Sequence, residues 1–393
     1  MRIAILSGRH VWGGAEEQAR MLSGALGRGH EVVLITTGAE DQEFDEGNHR
    51  RITLRLPRRA YFWHNYWNGT VVRRLGRVFE RIRPDILHFH NVHNRTLSAA
   101  SLLFSREIPS VWTLHDLWSQ CIWSTPRPRG CEGTSHGCLA CRCMPVLSIA
   151  DRKIKEAVFR RSPMTLVLVC EWLRRRISTG VLATKSMEVI HSGVETGRFE
   201  GVTGRAVREK LGIPEDARVV LFAGTMLTNV KGHEDLLRAA RRILATEHDV
   251  WFVLVGAHGR SPLRHRQVIF VGRVEPAEMP GYYAAADVFA YPTHGDIFPL
   301  VVLEALASAK PVVTHRIGGL SELVEDGTSG FLVEEHDEDA LEERLRRLIA
   351  DRELAKSMGE TGRERVRGFF TVEQQVRKTE ALYDKVVKGN RKV

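Results

Sequence analysis

The sequence predicts an α/β protein built from two consecutive domains, each a doubly wound parallel sheet. Three observations carry this. Short apolar runs without polar alternation recur along the whole chain, as in strands buried on both faces. Segments of helix length separate them. The chain has 393 residues, 43% hydrophobic and 27% charged, enough for two separate cores.

In the first half the runs are "RIAIL" at 2–6, "EVVLIT" at 31–36, "DILHFH" at 85–90, "SVWTL" at 110–114 and "TLVLV" at 165–169. In the second they are "RVVLFAG" at 218–224, "VWFVLVG" at 250–256, "QVIFVG" at 267–272, "DVFAYP" at 287–292, "PVVTH" at 311–315 and "GFLV" at 330–333. Among the intervening segments, 232–246 puts Leu236, Leu237, Ala240, Ile243 and Leu244 on one helical face. Glycines and small polar residues in "VIHSGVETGRFEGVTG", 189–204, interrupt the pattern and mark a junction. The expected division is an N-terminal Rossmann-like domain over 1–190 with a cysteine-rich insertion at about 121–143, a C-terminal Rossmann-like domain over 191–370, and a last helix over 371–393 that is a candidate to cross back to the first domain.

No run approaches the roughly 20 apolar residues of a membrane-spanning helix, and "MRIAILSGRH" is too short for a signal peptide. A cytoplasmic protein is expected. The net charge of +9 is unevenly spread: residues 1–190 hold 28 Lys+Arg against 17 Asp+Glu, or +11, leaving −2 for 191–393. The first half is therefore suited to an acidic partner, unless the excess reflects only an arginine-rich proteome.

In open α/β sheets ligands bind beyond the carboxyl ends of the strands, so two such domains placed face to face form a cleft lined by loops. After the strand ending at Gly224 comes "TMLTNVKGHEDLL". Lys231 and Gly232 fall near a helix start, where an ammonium and free N–H groups suit a diphosphate; a solvated lysine is the plain alternative. In "HGDIFPLVVLEALASAKPVV", 294–313, Pro299 suits the first position of a helix. Asp296 then lies in the preceding loop and Glu304 inside the helix, with free N–H groups near Leu300 and Val301 adding the positive end of the helix dipole. The alternative for Glu304 is an ion pair with a nearby arginine.

Taken with "GGAE" at Gly13–Glu16, "TLHD" at Thr113–Asp116, "HSGVE" at His191–Glu195 and "GGLSELVEDGTSGFLV" after the second carboxylate, these segments resemble the retaining GT-B glycosyltransferases of family 4, of the glycosyl transferases group 1 type. The resemblance covers nearly the whole chain and implies the GT-B fold, two Rossmann-like domains facing a central cleft. It also implies transfer of a sugar from a nucleotide-diphosphate sugar, UDP or GDP, to an acceptor hydroxyl.

Residue by residue, the resemblance puts Asp296 on the donor-sugar hydroxyls, Glu304 on the ribose hydroxyls and Lys231 on the diphosphate. Gly13 and Gly14 let backbone approach the phosphates, and Gly224, Thr225, Phe298, Leu300 and Val301 complete the donor surroundings. His115 matches the histidine under the donor sugar, its alternative being a cap beside Asp116. His90, His93 and Asp116 are acceptor-side candidates. Two positions depart from the pattern: the first carboxylate is usually Glu but is Asp296 here, and Thr225 stands where Arg is common. Together with His115, the residues Lys231, Asp296 and Glu304 form the expected catalytic set. Relatives of this type work without a bound metal, and no Asp-x-Asp motif that would hold Mg²⁺ between carboxylates is read here, so no catalytic metal is expected. The departing phosphate is expected to take the acceptor's proton, so the two carboxylates need not act as the acid/base pair of glycosidases.

On the acceptor side, the region 50–83 sets "YFWHNYW", 61–67, among arginines. Such a mixture suits an anionic membrane surface and hence a lipid-linked or saccharide acceptor, as in surface polysaccharide biosynthesis by an enzyme peripheral on the inner face of the membrane. Base stacking and a helix with core aromatics are the alternatives, and no nucleic-acid motif accompanies the region. Cys131, Cys138, Cys141 and Cys143 are candidates for a structural zinc site, beside unligated thiols or a disulfide.

Rival functions are a GT-B nucleotide-sugar epimerase, which needs no acceptor, and a non-catalytic sugar-nucleotide or glycan-binding protein. A dehydrogenase lacks its G-x-G-x-x-G fingerprint, since "SGRHVWGGAEE" follows the first strand.

Overall fold

The computed structural model describes residues 1–8, 13–56, 61–93, 96–121, 145–225, 229–256, 263 and 265–390. The candidate zinc cysteines Cys131, Cys138, Cys141 and Cys143 lie outside them. The chain divides into two units: most of the sequence up to Gly193 together with Val372–Val393, and Val194–Thr371.

The first unit contains β1 (Arg2–Leu6), α1 (Gly14–Leu26), β2 (Glu31–Gly38), β3 (Gln42–Glu46), β4 (His49–Arg55), α2 (Gly69–Ile82), β5 (Ile86–Phe89), β6 (Ser110–Leu114), α3 (Pro145–Arg160), β7 (Thr165–Leu168), α4 (Glu171–Ile177) and β8 (Met187–Val189). Its strands form one sheet in the order β3-β4-β2-β1-β5-β6-β7-β8. All neighbours are parallel except β3 and β4, an antiparallel pair at the edge. The apolar runs supply the interior strands. The edge was hidden in the sequence because β4 buries only the short run Ile52, Thr53 and Leu54, inside an arginine-rich stretch. The acidic β3 and the residue before it take up part of the arginine charge: Arg74 pairs with Asp41 at 2.5 Å, and Arg81 with Glu43 of β3 at 3.0 Å.

The second unit contains α5 (Arg205–Leu211), β9 (Arg218–Ala223), α6 (His233–Leu244), β10 (Val250–Val255), β11 (Val268–Gly272), α7 (Met279–Ala285), β12 (Val288–Tyr291), α8 (Leu300–Ala307), β13 (Val312–His315), α9 (Leu320–Leu323), β14 (Gly330–Val333), α10 (Glu338–Ala350) and α11 (Arg352–Phe369). Its sheet is wholly parallel, in the order β11-β10-β9-β12-β13-β14. The strand order reverses between β9 and β12, so the loops after these two strands diverge and leave a crevice at their carboxyl ends. In the first unit the corresponding reversal falls between β1 and β5.

The last helix, α12 (Val372–Asn390), belongs to the first unit. Its Leu382 and Tyr383 are buried in one apolar cluster with Ile3, Ile5, Leu22, Leu26 and Ile86. Burying a side chain of leucine size contributes about 1.5–3 kcal/mol, so α12 is part of the core of that unit. Among the described residues no helix is long and apolar enough to cross a membrane.

Candidate active site

Lys231 and Asp296 approach one another from the two loops that flank the reversal in the second sheet. Lys231 ends the short turn Asn229–Lys231, between β9 and α6. Gly232 follows with φ +74° and caps α6. A side chain here would force the backbone around it to shift, because an added Cβ would lie 1.7 Å from the carbonyl oxygen of Pro292. The loop after β12 is thus pressed against the lysine turn. Two hydrogen bonds hold it there: His294 N–H donates to the Val230 carbonyl at 2.8 Å, and the Thr293 hydroxyl donates to the same oxygen at 2.9 Å.

Within this frame Lys231 Nζ is ion-paired with Asp296 Oδ1. The Tyr291 hydroxyl donates to Asp296 Oδ2. Tyr291 is the last residue of β12 and is buried, and its phenol is pushed well above its ordinary value, first by burial and then by the charge of Asp296. It therefore stays a hydrogen-bond donor. The turn at Gly318 supports the loop from the other side, with Gly319 N–H donating to the Ile297 carbonyl at 2.7 Å.

Pro299 is the cap of α8 rather than its first residue, and the helix begins at Leu300. Asp296 is in the loop and Glu304 in the second turn. The fully buried Tyr283 of α7 donates its hydroxyl to Glu304 Oε2 at 2.7 Å. Phe298 is buried, with its ring 6.0 Å from that of Phe370 in an edge-on arrangement. Its side chain is a packing element, leaving only its backbone to face a ligand. Gly224 directly follows β9, with its N–H on the Val255 carbonyl at 2.9 Å, and Thr225 beside it is exposed.

In the first unit, Gly13 caps α1, whose first residue is Gly14, in the connection after β1. Glu16 in the first turn is buried and accepts from the Asn91 amide at 2.9 Å, which ties this helix start to the loop after β5. That loop carries His90 and His93, and the loop after β6 carries His115 and Asp116. His90 Nδ1 lies 2.9 Å from His115 Nε2, and their rings stack 5.1 Å apart. His93 Nε2 lies 3.0 Å from Asp116 Oδ2 and stacks on Trp118 at 4.9 Å. Burial lowers the His115 imidazole to about 4, partly offset by Asp116, so it is neutral near pH 7. Burial would raise Asp116, but His93 and the Trp118 N–H outweigh it and hold the carboxyl below its ordinary value.

Two family models match consecutive stretches: Glycosyltransferase Family 4 over residues 12–198, and Glycosyl transferases group 1 over residues 205–365. The chain belongs to the GT-B glycosyltransferases of the group 1 and family 4 type. It is similar to the D-inositol 3-phosphate glycosyltransferase of a Nocardioides species, 33% identical over 221 residues, which are 50% of this chain and 48% of that protein. The chain thus spans about half the length of that relative. Among solved structures, sucrose-phosphate synthase from Thermosynechococcus elongatus superposes with a TM-score of 0.78 at 20% identity, covering 99% of each chain. Anabaena HepE in complex with UDP-glucose superposes at 0.70 with 17% identity, covering 98% of this chain and 100% of that one. At these identities the likeness is one of fold.

For this GT-B glycosyltransferase, reading the sequence missed Tyr291 and Tyr283, the partners of the two carboxylates. The position of Tyr291 at the carboxyl end of a strand was the available signal. Within the region 50–83, the stretch 61–67 departs from a helix with core aromatics. Tyr61, Phe62, Trp63 and Trp67 are exposed on and around the short turn Phe62–Asn65, and Tyr61 stacks on Trp63 at 4.6 Å. Tyr66 alone turns inward.

Proposed function

We propose that the chain transfers a sugar from a nucleoside diphosphate sugar to an acceptor hydroxyl, with retention of anomeric configuration and without a catalytic metal. The observation that carries this reading is the Lys231–Asp296 ion pair at the reversal of the second sheet, beside the start of α8. With a donor bound, Lys231 moves to the diphosphate, joined by the free N–H groups near Leu300 and Val301. Asp296, released, accepts hydrogen bonds from the sugar hydroxyls. Glu304, steadied by Tyr283, takes the ribose hydroxyls. Gly13, Gly14, Gly224, Thr225 and the Phe298 backbone border the donor.

As the bond from the anomeric carbon to the phosphate oxygen breaks, the acceptor oxygen bonds to that carbon on the same face and its proton passes to the leaving phosphate. Each well-placed donor to the developing phosphate charge contributes about 3 kcal/mol. His115, neutral near pH 7, is assigned to the sugar, and His90, His93 and Asp116 to the acceptor. UDP is the preferred nucleotide, since the similar HepE is described in complex with UDP-glucose; GDP is the alternative.

For the acceptor, the exposed aromatics beside arginine-bearing α2 favour a lipid-linked or saccharide substrate met at an anionic membrane surface. A phosphorylated polyol is the second reading, favoured by the relative named for D-inositol 3-phosphate. Thermal-shift titration with UDP, GDP and ADP sugars tests the donor, and stabilisation by none of them overturns the reading. Flotation with anionic liposomes tests the surface: association that weakens with salt supports the lipid-linked acceptor, and none favours the soluble polyol.

A further inference from the structure

We propose that the second unit holds a divalent transition-metal ion, of the zinc or cobalt class, on His294, Glu335 and His336, with Asp235 as the outer partner of His294. The ligand atoms of the three residues all lie within 4.8 Å of one another. They come from two places in the fold. His294 lies in the loop after β12, and Glu335 and His336 lie between β14 and α10.

The His294 ring carries the inference. It is almost wholly buried, with its Nε2 against Asp235 Oδ2 and its Nδ1 3.0 Å from Glu335 Oε1. A neutral imidazole has only one N–H, so it cannot donate to carboxylates at both nitrogens. Something must therefore stand at one of them: a second ring proton, a proton on the carboxyl, or a metal ion. Asp235 sits in the first turn of α6 and holds the proton on Nε2, which directs the Nδ1 lone pair towards Glu335. This is the outer-partner arrangement common to metal-bound histidines.

A second imidazole is already in place. The His336 ring is stacked on His294 with centroids 5.1 Å apart and planes 21° from parallel. His336 also holds φ at +68°, a conformation glycine would adopt without strain. Two imidazoles and a carboxylate suit zinc, cobalt or nickel better than the all-oxygen ions magnesium and calcium. Bound there, the ion ties α10's approach to the loop whose His294 N–H and Thr293 hydroxyl hold the lysine turn. Its role is to brace those loops, and the ion takes no part in bond making.

The experiment uses the full chain, freed of any affinity tag, stripped with chelator and titrated with Co²⁺ and Zn²⁺ in the absence of sugar nucleotide. Wild type is compared with His336→Gly, which relieves the backbone, and with Glu335→Gln. Expected is one cobalt equivalent whose visible spectrum lacks thiolate charge-transfer absorption, together with a Zn²⁺-induced rise in Tm. Both are lost in the two variants, and Asp235→Asn weakens binding about 10–100-fold. The thiolate signature separates this site from any ion taken by Cys131, Cys138, Cys141 and Cys143. Failure to bind, or cobalt uptake carrying only thiolate absorption and unchanged in His336→Gly and Glu335→Gln, overturns the proposal and leaves a proton rather than a metal ion between His294 and its carboxylates. Because no donor is present, the outcome does not depend on the proposed transferase activity.

Discussion

Lys231 and Asp296 neutralise one another across the reversal of the second sheet, and Tyr291 holds the far oxygen of the same carboxylate. On the function proposed above, the cation assigned to the diphosphate is thus occupied by the anion assigned to the sugar. Donor binding has to exchange these partners, so the two residues should separate in their effects. Asp296→Asn frees Lys231: UDP alone should bind as tightly as to wild type or several-fold more tightly, while turnover of the sugar nucleotide falls more than tenfold. Lys231→Ala should weaken both. Calorimetry with UDP and initial rates with the donor decide, and equal losses of UDP affinity in both variants would remove the exchange.

Gly232 joins φ +74° to a 1.7 Å approach of any Cβ to the Pro292 carbonyl. Gly232→Ala must displace the loop carrying Asp296 or adopt a strained backbone, at about 1–3 kcal/mol for the strain alone. The expected result is a lower Tm and loss of the donor-induced Tm shift, read in the same thermal scan.

His88 on β5 is buried, with Nδ1 2.5 Å from the Tyr383 hydroxyl and Nε2 2.6 Å from the Thr113 hydroxyl. Burial, then the nearby His115, lowers it to about 3, and burial also drives His90 well down. A histidine depressed in the folded state contributes stability that is full above its unfolded value of 6.5. Below that pH the unfolded chain takes up protons that the folded chain refuses. Stability should therefore fall from pH 6.5 towards about 3, by up to about 1.4 kcal/mol per pH unit for each histidine. Denaturant midpoints at pH 7 and pH 5 measure this, and His88→Gln should flatten the slope by one histidine's share. A flat wild-type profile would contradict the assignment.

Lys155 is fully buried in α3, with Nζ 2.9 Å from Asp151, 3.2 Å from the Cys121 carbonyl and 4.4 Å from the centre of the Trp118 ring. Tyr66 donates to the Oδ1 of Asp151 at 2.6 Å, the same oxygen that lies nearest the ammonium. Burial lowers the lysine from its ordinary value, and Asp151 opposes that. Asp151→Ala strands a buried ammonium and should cost about 3–5 kcal/mol, whereas Asp151→Leu with Lys155→Met should come much closer to wild type. Urea unfolding of the three proteins measures the difference.

Much of this was legible in the residues. The interior strands announce themselves because both faces are buried and no polar residue breaks the run. The strands β3 and β4 were not seen, since β3 is exposed over 42–45 and β4 buries only three residues among charges that pair across the hairpin, as Arg50 does with Asp45. The three-residue β8 carries too few positions for any period to show. In the candidate site, Lys231, Asp296 and Glu304 were singled out in the sequence, and the roles proposed for them came from the family resemblance. Their partners Tyr291 and Tyr283 were not, because a hydrogen bond between different elements leaves no local pattern. The His294 cluster was equally hidden, with Asp235, His294 and Glu335 brought together only by the parallel sheet beneath them.

The placement of α12 bears on how the molecule is made. Tyr383 and Leu382 complete the apolar cluster around Ile3 and Ile5, although some 380 residues of synthesis separate the two ends of that cluster. The unit whose strands emerge first from the ribosome therefore waits for α12, while Val194–Thr371 already has all its strands. During that interval the surface that α12 will cover stays open to solvent. The later-made unit is the one able to finish first, reversing the usual order in which domains mature along a nascent chain.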